Sequence, residues 1–203
     1  MWLHIAKGVV TMMDIASASL RGSIAALEAF EQQGLPVVVQ AAEAMAQALA
    51  AGHKLLVFGN GGSAADAQHL AAELINRFLM ERPSLPAVSL TTDSSVLTAI
   101  GNDYHFDEIF SKQIKGLGQA GDIALGISTS GRSPNVLKGL AAARTKEMLT
   151  IGLGGRLCDE MASLCDVMIR VPSDETPRIQ EVHGLVIHIL CELVDYKLFG
   201  RAR

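Results

Sequence analysis

Apolar positions along the chain follow one spacing up to about residue 53 and a different one afterwards. Ile15, Leu20, Ile24, Leu27 and Phe30 recur at nearly helical intervals, which predicts a helix over residues 14–30. Gly34-Leu35-Pro36 predicts a break, and an alanine-rich stretch predicts a second helix over 37–51. Beyond His53, short apolar runs at 55–58, 87–90, 123–127, 149–153 and 167–171 read as buried strands with helical patterns between them. Such alternation predicts an α/β fold with a five-stranded parallel sheet covered by helices on both faces. The last stretch, 178–199, reads as one long helix interrupted only by Gly184. The chain shows no repeat, low-complexity tract or linker. The simplest organisation is an N-terminal extension over 1–13, or a start codon upstream of Met12 or Met13, followed by a single domain over 14–203.

Composition narrows the picture. The chain has 203 residues, 49% hydrophobic and only 19% charged. No run is long and apolar enough to predict a membrane span, so the surplus apolar surface is expected at subunit interfaces and the default is an oligomer. A net charge of −4 gives no broad basic field for direct nucleic-acid binding. Three cysteines without a CxxC pair argue against a disulfide framework and fit a reducing cytoplasm. Residues 1–10 lack the features of a secretory signal.

Ligands of open parallel sheets bind beyond the carboxyl ends of the strands, and two of the loops there are unusual. The first strand leads into Gly59-Asn60-Gly61-Gly62-Ser63, whose glycines allow close backbone approach, with Ser63 expected to cap the following helix. A helix start of this kind favours an anion. The loop has neither the Walker ending nor the GxGxxG dinucleotide pattern. The third strand leads into Ser128-Thr129-Ser130-Gly131-Arg132-Ser133, a set of small hydroxyl donors ahead of another helix. Arg132 either pairs with phosphate or faces solvent.

His69 and Glu73 are four apart and share a helix face. On the last helix, Gln180 and His188 lie eight apart on one stripe with Gly184 between them; a mid-helix glycine costs about 1 kcal/mol and suggests a close approach there. His183 lies off that stripe and reads as a packing or surface histidine. Two His, one Glu and one Gln make a mixed donor set compatible with Zn²⁺, provided that the two helices converge.

Taken together, several motifs resemble phosphoheptose isomerases of the SIS (sugar isomerase) fold. They are Gly59-Asn60-Gly61-Gly62-Ser63 with Asp66, His69 and Glu73; Thr92-Asp93 through Gly101-Asn102-Asp103; Gly126 through Gly131; and Arg178-Ile179-Gln180-Glu181-Val182-His183 with His188. The resemblance runs from the first long helix to Phe199. It implies conversion of sedoheptulose 7-phosphate to glycero-manno-heptose 7-phosphate, an entry step to bacterial heptose for lipopolysaccharide. It further implies one zinc ion per subunit and a homotetramer with active sites between subunits. By position, His69, Glu73, Gln180 and His188 match the zinc ligands. Asn60, Gly61, Gly62, Ser63, Glu73, Asn102, Asp103, Ser128, Thr129, Ser130, Ser133 and Gln180 correspond to the substrate site. Glu73 is assigned as the base that removes a carbon-bound proton and His188 as the opposing acid/base. Departures from the family pattern are Arg132 where asparagine is common, Leu157-Cys158-Asp159 in place of an Asp-Gly-Gly loop, Pro177, and residues 1–11.

Segments 76–78, 81–86 and 98–100 also resemble a non-enzymatic SIS-fold regulator that binds the replication initiator DnaA. That regulator lacks equivalents of Glu73 and His188, and retention of both here favours the enzyme. A sugar-phosphate sensor joined to a DNA-binding module is disfavoured, since no helix-turn-helix pattern is present.

Overall fold

The computed structural model describes residues 10–200. Helix α1 spans Met12–Ala50 and is followed by β1 (Leu55–Gly59), α2 (Gly62–Ile75), β2 (Ala87–Ser89), α3 (Ser94–Asp103) and a 3-10 turn at Phe106–Glu108. Then come α4 (Ile109–Leu117), β3 (Ile123–Ser128), α5 (Pro134–Thr145), β4 (Leu149–Gly154), α6 (Asp159–Ala162), β5 (Val167–Arg170) and α7 (Thr176–Phe199). All five expected strands are present, each within two residues of its predicted ends. They form one parallel sheet in the order β2-β1-β3-β4-β5.

Alternation along the strands sends side chains to two separate cores. Leu55, Val57, Leu125, Ile127 and Ile151 pack beneath α1, α2 and α7, whereas Leu56, Phe58 and Ala124 pack beneath α4, α5 and α6. With both faces covered, the strands have no solvated side and read as continuous apolar runs. Because β1 and β3 are neighbours whose crossovers leave toward opposite edges, the chain direction switches between them, and a notch opens at their carboxyl ends.

The two expected N-terminal helices are one. α1 runs unbroken through Pro36 for 39 residues, about 58 Å at helical rise. A proline inside a helix forfeits one backbone bond and costs about 3 kcal/mol. The same segment buries Phe30, Val38, Met45 and Leu49, each contributing roughly 1.5–3 kcal/mol. Burial therefore outweighs the proline. Gly34 is a packing residue there, not a breaker: a β-carbon at this position would lie 2.2 Å from the Phe30 ring. The helix begins at Thr11, whose hydroxyl accepts from the Asp14 amide while the Asp14 carboxylate accepts from the Thr11 amide. Met12 and Met13, placed in the expected N-terminal extension, thus belong to α1, while residues 1–9 lie outside the described residues. At the other end of the chain α7 starts at Thr176, with Pro177 in its first turn, where a missing N–H costs nothing.

Substituting Gly34→Ala is expected to lower unfolding stability by about 1–3 kcal/mol, since the added methyl must displace the buried Phe30 ring. Urea denaturation measures this, and an unchanged midpoint would contradict the packing role.

Candidate active site

Both Gly- and Ser-rich loops emerge at the β1/β3 notch. In the first, Gly61 takes φ 57° and ψ −120°, a conformation that side-chain-bearing residues rarely adopt, and acts as the N-cap of α2. Ser63 is not the expected cap: it is buried inside the first turn, and its amide donates to the Asn60 carbonyl. With no side-chain cap at Gly61, the α2 N-terminus is built from backbone alone. In the second loop the Ser128 hydroxyl lies 3.0 Å from that of Ser133 and 3.5 Å from that of Ser130. Gly131, at φ 63°, turns this loop against Cys158, so Leu157-Cys158-Asp159 is the floor on which the hydroxyl loop rests. Thr129 and Ser130 line a shallow cavity of about 180 Å³ together with Arg132, Arg156 and Thr176.

Asn135 joins the two loops. Its amide exchanges two hydrogen bonds of 2.8 Å with Asn60, and its oxygen also accepts from the Val136 amide. Asn135 is almost fully buried. It fixes the Asn60 side chain across the notch, and local spacing gave no sign of a partner 75 residues away.

On the α2/α7 side, His69 is the hub. Its Nε2 lies 3.3 Å from Glu73 Oε1 and 3.3 Å from His188 Nε2, and the two imidazoles meet edge to face. Phe78 also stacks on the His188 ring, with centroids 5.3 Å apart. The expected convergence of the two helices is therefore present for three of the four residues. The fourth, Gln180, lies over the start of α2, where a β-carbon on Gly62 would come within 2.5 Å of its Nε2. A β-carbon at Gly184 would meet no other part of the described chain within 4 Å. The close contact expected there is absent within the chain, and the glycine leaves open space beside the Gln180–His188 stripe.

The spacing of these donors suits a metal. A tetrahedral ion with bonds of about 2.0–2.1 Å places its ligand atoms about 3.3–3.4 Å apart, the separation seen from His69 to both neighbours. Among the described residues, no group of three His, Cys, Asp or Glu side chains is already arranged to hold a metal; His69 contacts Glu73 and His188 directly. The imidazole, carboxylate and amide chemistry of His69, Glu73, His188 and Gln180 fits Zn²⁺.

Asn102 and Asp103 are not brought to this cluster. They end α3, an exposed helix with no buried residue, and Asn102 donates to Asp103 at 2.8 Å. Asp66, one turn before His69 on α2, has a buried carboxylate oxygen without a partner. Burial pushes the Asp66 carboxyl up, and the nearby His69 partly offsets this.

A family model described as SIS domain matches residues 20–155. A phosphoheptose isomerase of Nitratidesulfovibrio vulgaris is 58% identical over 172 residues, covering 85% of this chain and 83% of that protein. A second, from Geotalea daltonii, is 52% identical over 192 residues, covering 95% of this chain and all of the relative. The chain belongs to the phosphoheptose isomerase family of SIS-domain proteins. The solved phosphoheptose isomerase of Neisseria gonorrhoeae superposes with a TM-score of 0.87 at 47% identity, covering 91% of this chain and 99% of that one. A Vibrio vulnificus NanR protein complexed with ManNAc-6P shares the fold alone, at 16% identity and a TM-score of 0.67.

In this phosphoheptose isomerase fold His183, read from sequence as a packing or surface residue, is fully buried on α7 with neither ring nitrogen hydrogen-bonded. A backbone contact with Gly154 offsets its burial only weakly and falls short of a hydrogen bond, so burial holds its pKa down to about 4. Folding thus favours neutral His183, and its contribution is intact above the unfolded value of about 6.5. Stability should fall as pH drops from about 6.5 toward 4, by at most about 3 kcal/mol from this group. Unfolding midpoints across that range measure it. His183→Phe should flatten the slope, and an unchanged slope would contradict the assignment.

Proposed function

We propose that this protein is an aldose–ketose isomerase that converts sedoheptulose 7-phosphate to glycero-manno-heptose 7-phosphate. The observation that carries the reading is the apposition of His69, Glu73 and His188 on α2 and α7, helices whose first turns lie at the loops after β1 and β3, where the hydroxyls of Ser128, Ser130 and Ser133 gather. The hydroxyl loop and the α2 N-terminus suit the phosphate, and the acid/base cluster suits the carbonyl end. Family membership at more than 50% identity over most of the chain supports the same substrate. The regulator reading has less support, because both Glu73 and His188 are present.

Isomerisation requires moving a proton between C1 and C2 of the opened sugar. Glu73 takes the C1 proton as His188 donates to the C2 carbonyl oxygen, leaving an enediol. Glu73 then returns its proton to C2 while His188 recovers one from the C1 hydroxyl, so that the aldose forms with no net proton gained or lost. Anchoring of the phosphate supplies the orientation that lets one carboxylate serve both carbons. Phe78 and His69 both pack against the His188 ring. Zinc held by His69, Glu73, Gln180 and His188 would polarise the substrate oxygens when bound.

We further propose that the protein works in the cytoplasm as a homotetramer and feeds heptose to lipopolysaccharide. Ile15, Leu20, Ile24 and Val39 on α1 are exposed and apolar, which supports burial against other subunits. Asn102 and Asp103, remote from the cluster within one chain, fit sites completed between subunits. Among the described residues, no helix is long and apolar enough to cross a membrane.

Glu73→Gln is expected to cut kcat by about 10²–10⁴-fold with KM changed only a few-fold, measured by separating the product after incubation with sedoheptulose 7-phosphate. A folded variant at the wild-type rate would refute the assignment. Treatment with a chelator should abolish turnover and zinc should restore it; activity that survives complete metal removal would refute the zinc proposal.

A further inference from the structure

The geometry points to Arg82 as a positioning residue that sets the approach of Glu73 to His188 from beneath the site. Arg82 follows α2 in the segment leading to β2, and its side chain is 1% exposed. Its Nε donates to Asp195 Oδ1 on α7 at 2.8 Å. Its Nη2 donates to the Glu73 carbonyl at 2.9 Å, and its Nη1 to the carbonyls of Leu74 at 2.7 Å and Pro83 at 3.1 Å. The last carbonyls of a helix have no partners within it. Here one guanidinium takes up those at the end of α2, on the residue that carries the proposed base, and ties them to the helix that carries the proposed acid.

Three further observations fit this clamp. Asp195 lies seven residues, about two turns, beyond His188 on the same face of α7, and its second oxygen is buried without a partner, so Arg82 is its anchor. The segment that Arg82 pins also carries Phe78, which stacks on His188. Burial pushes the Cys191 thiol on α7 up to about 12, with the Glu73 and Asp195 carboxylates adding to this and the Arg82 guanidinium opposing it, as expected where all three groups gather between α2 and α7. A planar fork can reach α7 and several α2 carbonyls together, and a lysine cannot.

The proposal rests on the isomerase reading for its kinetic arm, and a second arm is independent of it. Arg82→Lys and the nearly isosteric Asp195→Asn would be compared with the whole wild-type protein for kcat, KM and amide hydrogen exchange. In folded variants kcat should drop at least tenfold while KM for sedoheptulose 7-phosphate stays within about twofold, and amides over 72–76 should exchange faster. A role confined to stability would lower the melting temperature but leave kcat per folded molecule unchanged, and that result overturns the proposal. Should Arg82→Lys not fold, Asp195→Asn decides alone by the same criteria. An inactive wild type would count against the isomerase reading. The clamp would then be judged by exchange: faster exchange over 72–76 in Asp195→Asn supports it, and unchanged exchange overturns it.

Discussion

Two helices far apart in the sequence must lie side by side for this protein to have a site at all. α2 leaves the notch between β1 and β3, and α7 returns to it after the last strand. Where they meet, His69 contacts His188 across 119 residues of sequence. Neither helix could be held there by the polar contacts alone. Partly exposed pairs such as His69–Glu73 contribute little to stability, whereas the apolar face that α1, α2 and α7 share over the sheet is extensive and nearly dry. Burial brings the helices together, and the polar groups exploit the result.

Along these two helices, the protein separates anchoring from chemistry. The anchoring end is made of backbone amides, small hydroxyls and the Asn60–Asn135 pair, none of which carries a charge. The chemical end is made of imidazole and carboxylate groups, which can give and take protons. A substrate with a phosphate at one terminus and a carbonyl at the other suits such an arrangement. Binding energy collected at the phosphate can then orient the carbons where the proton moves.

Much of this was legible in the sequence because it depends on short-range pattern. The five strands show as apolar runs because both faces of the sheet are covered, and the loops after β1 and β3 show because glycine and serine leave few alternatives for a strand-to-helix turn. The His69–Glu73 pair shows because four residues make one helical turn. What stayed hidden depends on long-range packing. Pro36 signals a break only until the burial of Phe30, Val38, Met45 and Leu49 is known. Asn135 and Arg82 find their partners 75 and 113 residues away, and no spacing rule reaches that far. Ser63 resembles a cap in sequence, but the turn at Gly61 starts the helix sooner and draws the serine inside. The convergence of His69 with His188 was implied by resemblance and not by periodicity, which cannot fix how two helices cross.

The most direct test of this division is a crystal structure of the Glu73→Gln protein with sedoheptulose 7-phosphate bound. The account predicts the phosphate within about 3 Å of the Ser128, Ser130 and Ser133 hydroxyls, with C1 and C2 beside residue 73 and His188. A sugar bound in the reverse direction, or seated away from the contact of His69 with His188, would contradict it.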